Sequence, residues 1–168
     1  HSGSGMQETG IRNLVQKDVL SCVNGAFSDR WYDVAVSNGK QVDKLETEWG
    51  KPIEPQQLRD ALKKKHYEAI TLVHNETSVG LENPVKELCE VVKEVSPDTL
   101  ILVDAVSSLA GTKIEMDAWG IDFLLTSSQK CLALPPGISL AGTSDRALEK
   151  AASVENRGWY FDLLIMEK

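Results

Sequence analysis

Several apolar runs in this chain end in side chains that can do chemistry. Phe123-Leu124-Leu125 gives way to Thr126-Ser127-Ser128-Gln129 and then to Lys130. Leu100-Ile101-Leu102-Val103 ends in Asp104, and the run from Val19 to Val23 ends in Asn24-Gly25, shortly before Phe27. A lysine just past a buried strand either snorkels to water or is held, partly desolvated, as a nucleophilic amine. Position alone favours snorkelling, and the neighbouring strand ends are the reason to weigh the other role. Asp104 has its own plain alternative as a cap for the next turn. The polar stretch His74-Asn75-Glu76-Thr77-Ser78 follows a third apolar run, Ala69 to Val73, with His74 itself read as structural.

These residues can meet only if the fold brings several strand ends together. Apolar spacing predicts helices over residues 6–15, 27–36, 84–95 and 145–152, and one opened by Pro55 that ends in the solvated Lys63-Lys64-Lys65 run. Short apolar or alternating runs predict strands over 18–23, 41–48, 69–73, 100–103, 122–126 and 137–142. Strands alternating with helices imply a mostly parallel α/β sheet with helices on both faces, in which ligands bind at the carboxyl ends of the strands. The small residues His1-Ser2-Gly3-Ser4-Gly5 precede the first helix, where free N–H groups suit a phosphate, although a flexible linker or an added tail reads the same way.

At 168 residues the chain is read as a single domain, residues 1–168, large enough for its own core. A net charge of -7 argues against a nucleic-acid surface or anionic lipid as partner. No apolar run is long enough to span a bilayer and the start lacks the blocks of a signal peptide, so the expected location is cytoplasmic. Cys22, Cys89 and Cys131 show no C-x-x-C spacing, which predicts reduced, largely buried thiols and no metal site. Trp31, Trp49, Trp119 and Trp159 are expected to be packing residues. No G-x-G-x-x-G follows a strand and no G-x-x-x-x-G-K-[ST] is present, which ranks nucleotide chemistry low.

Pyridoxal 5'-phosphate requires the parts found here: a lysine to hold it as an imine, a carboxylate to keep its ring nitrogen protonated, a flat side chain against the ring, and N–H donors for the phosphate. The combination of Asp104-Ala105-Val106-Ser107-Ser108, Ser127-Ser128-Gln129-Lys130 and Pro135-Pro136-Gly137 resembles the class V aminotransferases, in the alanine–glyoxylate and serine–pyruvate branch. The related cysteine desulfurases usually carry His before the lysine, where this chain has Gln129.

The resemblance implies the large domain of the fold-type I pyridoxal-phosphate-dependent transferases. It assigns Lys130 the internal aldimine and the proton shuttle, Asp104 the pyridine nitrogen, and Val106 and Phe27 the two ring faces. Phe27 stands where several relatives have tryptophan, so stacking area is reduced. Thr77 would bond near the ring hydroxyl, and Ser2, Gly3, Ser4 and Gln129 would hold the phosphate. The implied reaction moves an amino group from a small amino acid, serine or alanine, to the 2-oxo acid glyoxylate or pyruvate. Two alternatives are beta elimination or desulfuration on the same cofactor, and a catalytically silent folded fragment. Family members are longer and homodimeric. The chain therefore resembles the central part of the large domain, lacking an amino-terminal segment and the small domain that supplies the arginine for the substrate carboxylate. In isolation it is expected to bind cofactor weakly and to be a poor transaminase.

Overall fold

The computed structural model describes residues 2–167. Its elements in chain order are α1 (Gly3–Leu14), β1 (Asp18–Val23), α2 (Ala26–Ser37), β2 (Gln41–Glu46), α3 (Pro55–Lys64), β3 (Ala69–Val73), β4 (Asn75–Glu76), β5 (Leu81–Glu82), α4 (Val85–Val95), β6 (Leu100–Asp104), α5 (Met116–Trp119), β7 (Phe123–Ser127), β8 (Ser139–Thr143), α6 (Asp145–Ser153) and α7 (Leu163–Met166). One six-stranded sheet runs in the order β2-β1-β3-β6-β7-β8. Its first five strands are parallel and β8 is antiparallel to β7. This is the mostly parallel α/β sheet expected from the alternation of elements.

Two apolar clusters lie on opposite faces. One gathers Ile11 and Leu14 of α1, Trp31 of α2 and Ala147 of α6 against Leu102 and Phe123. The other packs Leu58 of α3 and Leu88 and Val92 of α4 against Ile70, Ile101 and Val103. Covered on both sides, β3 and β6 are buried at every position and read as unbroken apolar runs, whereas the edge strand β2 is largely exposed. Helix α1 begins at Gly3 rather than near Met6, because the Ser2 hydroxyl accepts the Gly5 N–H at 3.2 Å and caps the first turn. Small residues can therefore form that turn. Gly10 of the same helix lies so close to the sheet that a Cβ there would stand 3.1 Å from the Phe123 ring.

Glu68 ties α1, β1 and α6 together. Its carboxylate accepts the backbone N–H groups of Gln16, Lys17 and Asp18 at 3.0, 2.6 and 2.9 Å and pairs with Lys150 at 2.6 Å. Burial alone would push its pKa up, but Lys150 and the three amides outweigh that and bring it down to about 2. A depressed carboxylate stabilises the fold above its unfolded pKa of about 4.3 and loses that contribution as pH falls toward the folded value. Discounted for the solvent screening of a partly exposed carboxylate, Glu68→Gln is expected to cost about 1–2 kcal/mol at pH 7 in urea unfolding, with the difference from the parent shrinking between pH 4 and pH 2.

Several local expectations change. The stretch after β3 contains the short antiparallel pair β4–β5 rather than plain loop, and α5 and α7 are too short to show a helical period. Cys22 and Cys89 are buried, with burial pushing both thiols up to about 12, but Cys131 is exposed, in the largely exposed 131–138 loop. Trp31 is fully buried, whereas Trp49 and Trp159 are exposed and do not pack. Lys65 is not simply solvated: it bridges Asp18 and Asp43 at 2.8 and 3.1 Å. Among the described residues no helix is long and apolar enough to cross a membrane, and no cluster of three or more His, Cys, Asp or Glu side chains could hold a metal.

Candidate functional site

The strand order reverses between β1 and β3, since the chain passes outward from β1 to β2 and returns on the other side. Beyond the carboxyl ends of the strands at such a reversal a crevice opens. Here it is a cavity of about 270 Å³, lined by Ser2, Gly3, Ser4, Phe27, Thr77, Asp104, Val106, Gln129 and Lys130. All nine residues singled out in the sequence therefore meet at one place. Gln7, Arg30, Val73, Asn75, Ser107 and Ser127 complete the wall.

Asp104 forms the buried end of the cavity, 6% exposed at the tip of β6. Its Oδ1 accepts the Val106 N–H and its Oδ2 accepts Gln7 Nε2, both at 2.8 Å. Burial pushes its pKa up to about 6, against the opposing pull of those two donors and of the Arg30 charge, while Glu76 adds to the rise. Among the described residues no cation lies within ion-pair distance of it. The cavity thus presents a desolvated carboxylate held by neutral donors alone.

Glu76 holds the turn that carries Phe27. It is fully buried and accepts the Phe27 and Ser28 N–H groups at 3.3 and 2.9 Å, together with the hydroxyls of Ser28 and Ser78 at 2.9 and 2.6 Å. A side chain from β4 thereby supplies the acceptors that the amino terminus of α2 needs, and fixes the turn that presents Phe27. Gly25 makes this possible: a Cβ there would fall 2.3 Å from Glu76 Cγ. Gly3 is likewise a close approach, since a Cβ would stand 2.7 Å from Val106 Cγ2 and displace the aliphatic wall.

Ser2, Gly3 and Ser4 lie at the start of α1, where unpaired N–H groups and the helix dipole favour an anion. Arg30 adds positive charge beside them, its Nη1 3.5 Å from Ser4 Oγ and its guanidinium 5.1 Å from the Phe27 ring centroid. Lys130 and Gln129 are exposed at the rim, just past β7. Lys130 is thus open to water, as its strand-end position alone favours, and not the partly desolvated amine that the neighbouring strand ends gave reason to weigh. Ser128 Oγ donates to Pro135 O at 2.7 Å and folds the following loop back toward β8, which leaves the lysine open on its outer side. Thr77 is also exposed, its hydroxyl 3.3 Å from Asn75 O. His74 is buried behind the site, its Nδ1 3.0 Å from Ser108 Oγ, and takes no part in the lining.

Gln7, Arg30 and Glu76 are the residues that sequence reasoning missed. Gln7 and Glu76 bond to partners 97 and 48 positions away, so nothing local marks them. Arg30 did carry a signal, lying one helical turn after Phe27 on the same face of α2. A buried acid, an exposed amine, an aromatic and an aliphatic wall, and a helix amino terminus can together take a flat ring with a protonated nitrogen, a carbonyl and an anionic arm.

Residues 16–167 match the family described as aminotransferase class-V. The chain is 39% identical, over 99% of its length, to an uncharacterized aminotransferase of Methanocaldococcus jannaschii, of which it covers 44%. It is 32% identical, over 96% of its length, to the serine–glyoxylate aminotransferase of Arabidopsis thaliana, covering 41% of that protein. Among solved structures it is similar to the alanine–glyoxylate aminotransferase of Nostoc sp., with a TM-score of 0.91 and 38% identity, over 99% of this chain and 45% of that one. The chain thus spans less than half the length of these relatives.

Proposed function

Because the chain belongs to the class V aminotransferases, we propose that its cavity is a pyridoxal 5'-phosphate site, and that the whole protein transfers an amino group from a small amino acid such as serine or alanine to glyoxylate or pyruvate. The observation that carries this reading is the joint presence of Asp104 and Lys130, from different strand ends, in the lining of one cavity. The activities named for the Arabidopsis and Nostoc relatives, serine–glyoxylate and alanine–glyoxylate transamination, support the choice of substrates.

The residues present fit the cofactor. Asp104 is a buried carboxylate lacking a cationic partner among the described residues, which is the complement of a protonated ring nitrogen. When bound, the cofactor supplies an electron sink for the bond broken at the substrate's alpha carbon. Asp104 would keep the ring nitrogen protonated. Phe27 and Val106 would confine the ring, and Thr77 would bond near its hydroxyl. Ser2, Gly3 and Ser4 at the amino end of α1, with Gln129 from the rim past β7, would bind the phosphate. Lys130 Nζ would hold the cofactor, and once the substrate's amino group has taken its place there the freed amine would take the proton from the substrate's alpha carbon and return it. An exposed amine suits that exchange, since the incoming amino acid must reach it.

Titration of the chain with pyridoxal phosphate, borohydride reduction and peptide mass mapping test this reading. The label is expected on the peptide containing Lys130. No adduct at any cofactor concentration favours a silent folded fragment, and a label confined to another lysine overturns the assignment. Product analysis of the full-length protein then separates the chemistry: a keto acid with a new amino acid supports transfer, and released sulfide or ammonia supports elimination.

A further inference from the structure

Gln7 is an amide where the surrounding packing asks for a hydrocarbon. It sits in α1 beside Met6 and Ile11, with only 2% of its surface exposed, and its backbone carbonyl accepts the Nε1–H of the fully buried Trp31 at 3.1 Å. The side-chain Nε2 donates to Asp104 Oδ2 at 2.8 Å, while Oε1 has no hydrogen-bond partner. Leaving a buried acceptor unpaired is costly, and a leucine or methionine here would avoid that cost. Only a donor aimed at a charged partner offsets it, because hydrogen bonds to ions are about twice as strong as neutral ones.

We propose, on the reading of the cavity as a pyridoxal-phosphate site, that Gln7 is a positioning residue that holds the negative charge of Asp104 and aims its free lone pairs at the cavity. Asp104 Oδ1 is fixed by the Val106 N–H on its own chain segment, so Gln7 is the contact from another element that sets the rotation of the carboxylate. The other groups facing the acid work in both directions. Glu76 on β4 disfavours its charge and Arg30 on α2 favours it, Lys130 shares the cavity from the β7 end, and the His74 N–H donates to the Asp104 main-chain oxygen at 2.9 Å. Against strong desolvation, removing the Gln7 donor leaves Asp104 neutral to a higher pH.

The test uses Gln7→Leu, with Gln7→Met as an unbranched substitute of similar volume should leucine not pack. Unfolding of the cofactor-free chain is followed from pH 4 to pH 8 for the parent, Gln7→Leu, Asp104→Asn and the double variant. The pH at which stability falls, as Asp104 ionises, is expected to move up by about one unit in Gln7→Leu. In the Asp104→Asn background the same change is expected to leave the pH profile unshifted. Pyridoxal-phosphate affinity of Gln7→Leu is expected to fall about tenfold at neutral pH. A uniform change in stability at all pH values, or an equal effect with and without the acid, overturns the inference by making Gln7 a packing residue only. A parent chain that takes up no cofactor overturns the reading of the cavity instead, and the cofactor-free profiles still decide whether Gln7 acts on Asp104.

Discussion

Lys130→Ala is expected to abolish the borohydride-trappable adduct with pyridoxal phosphate and to leave the unfolding midpoint of the cofactor-free chain where it was. Both halves follow from where the side chain lies. It lines the cavity but is exposed at its rim, in a loop that the Ser128 to Pro135 hydrogen bond shapes without it. Truncating an exposed side chain with no buried partner usually changes stability by less than about 0.5 kcal/mol. The covalent chemistry, in contrast, has no substitute among the described residues lining the cavity: of these Lys130 is the one primary amine, and the other cation, Arg30, stays protonated and is not a nucleophile. Lys130→Arg therefore separates charge from reactivity. It preserves a cation at the rim and is expected to lose the adduct as completely as alanine. A trappable adduct that persists in either variant would assign the imine to a different lysine.

Asp104→Asn is expected to make the cofactor-free chain more stable at neutral pH while weakening pyridoxal-phosphate binding by roughly 100-fold or more. The folded pKa of Asp104, pushed up to about 6 by burial, exceeds the unfolded value of about 3.9. A raised carboxylate contributes its stability in full below the unfolded pKa and loses it as pH rises through the folded one. The substitution should accordingly be near neutral at pH 4 and stabilising by on the order of 2 kcal/mol above pH 6. The new amide is also easily accommodated. A flip of the Gln7 side chain turns its unpaired Oε1 toward the substituted amide N–H, and the Val106 N–H keeps its acceptor. With cofactor the sign reverses, because a neutral amide cannot pair with a protonated ring nitrogen, and removing one member of a buried ion pair costs about 3–5 kcal/mol. Unfolding curves at pH 4 and pH 7, with and without pyridoxal phosphate, check all four corners. A variant no more stable than the parent at pH 7 would show that the acid is not desolvated as described.

How far each of these effects was legible in the sequence depends on the range of the interaction behind it. Asp104 and Lys130 stand out because a short apolar run bounded by polar residues reads as a buried strand, and whatever follows it is delivered to the carboxyl end of the sheet. The exposure of Lys130 was not legible, since it depends on how the next eight residues fold back toward β8. The start of α1 was placed late because the pattern of apolar residues begins at Met6, whereas the helix begins at the Ser2 cap.

By itself, the sequence determined the alternation of strands and helices, the parallel sheet that follows from it, and the identity of the residues at each strand end. Those are consequences of local periodicity and chain connectivity. Only the tertiary structure decided that Gln7 donates to Asp104, that Glu76 caps the helix carrying Phe27, and that Arg30 stands beside Ser4. Each of those pairs is joined across elements by packing, and hydrogen bonding between distant segments leaves no periodic trace in the chain.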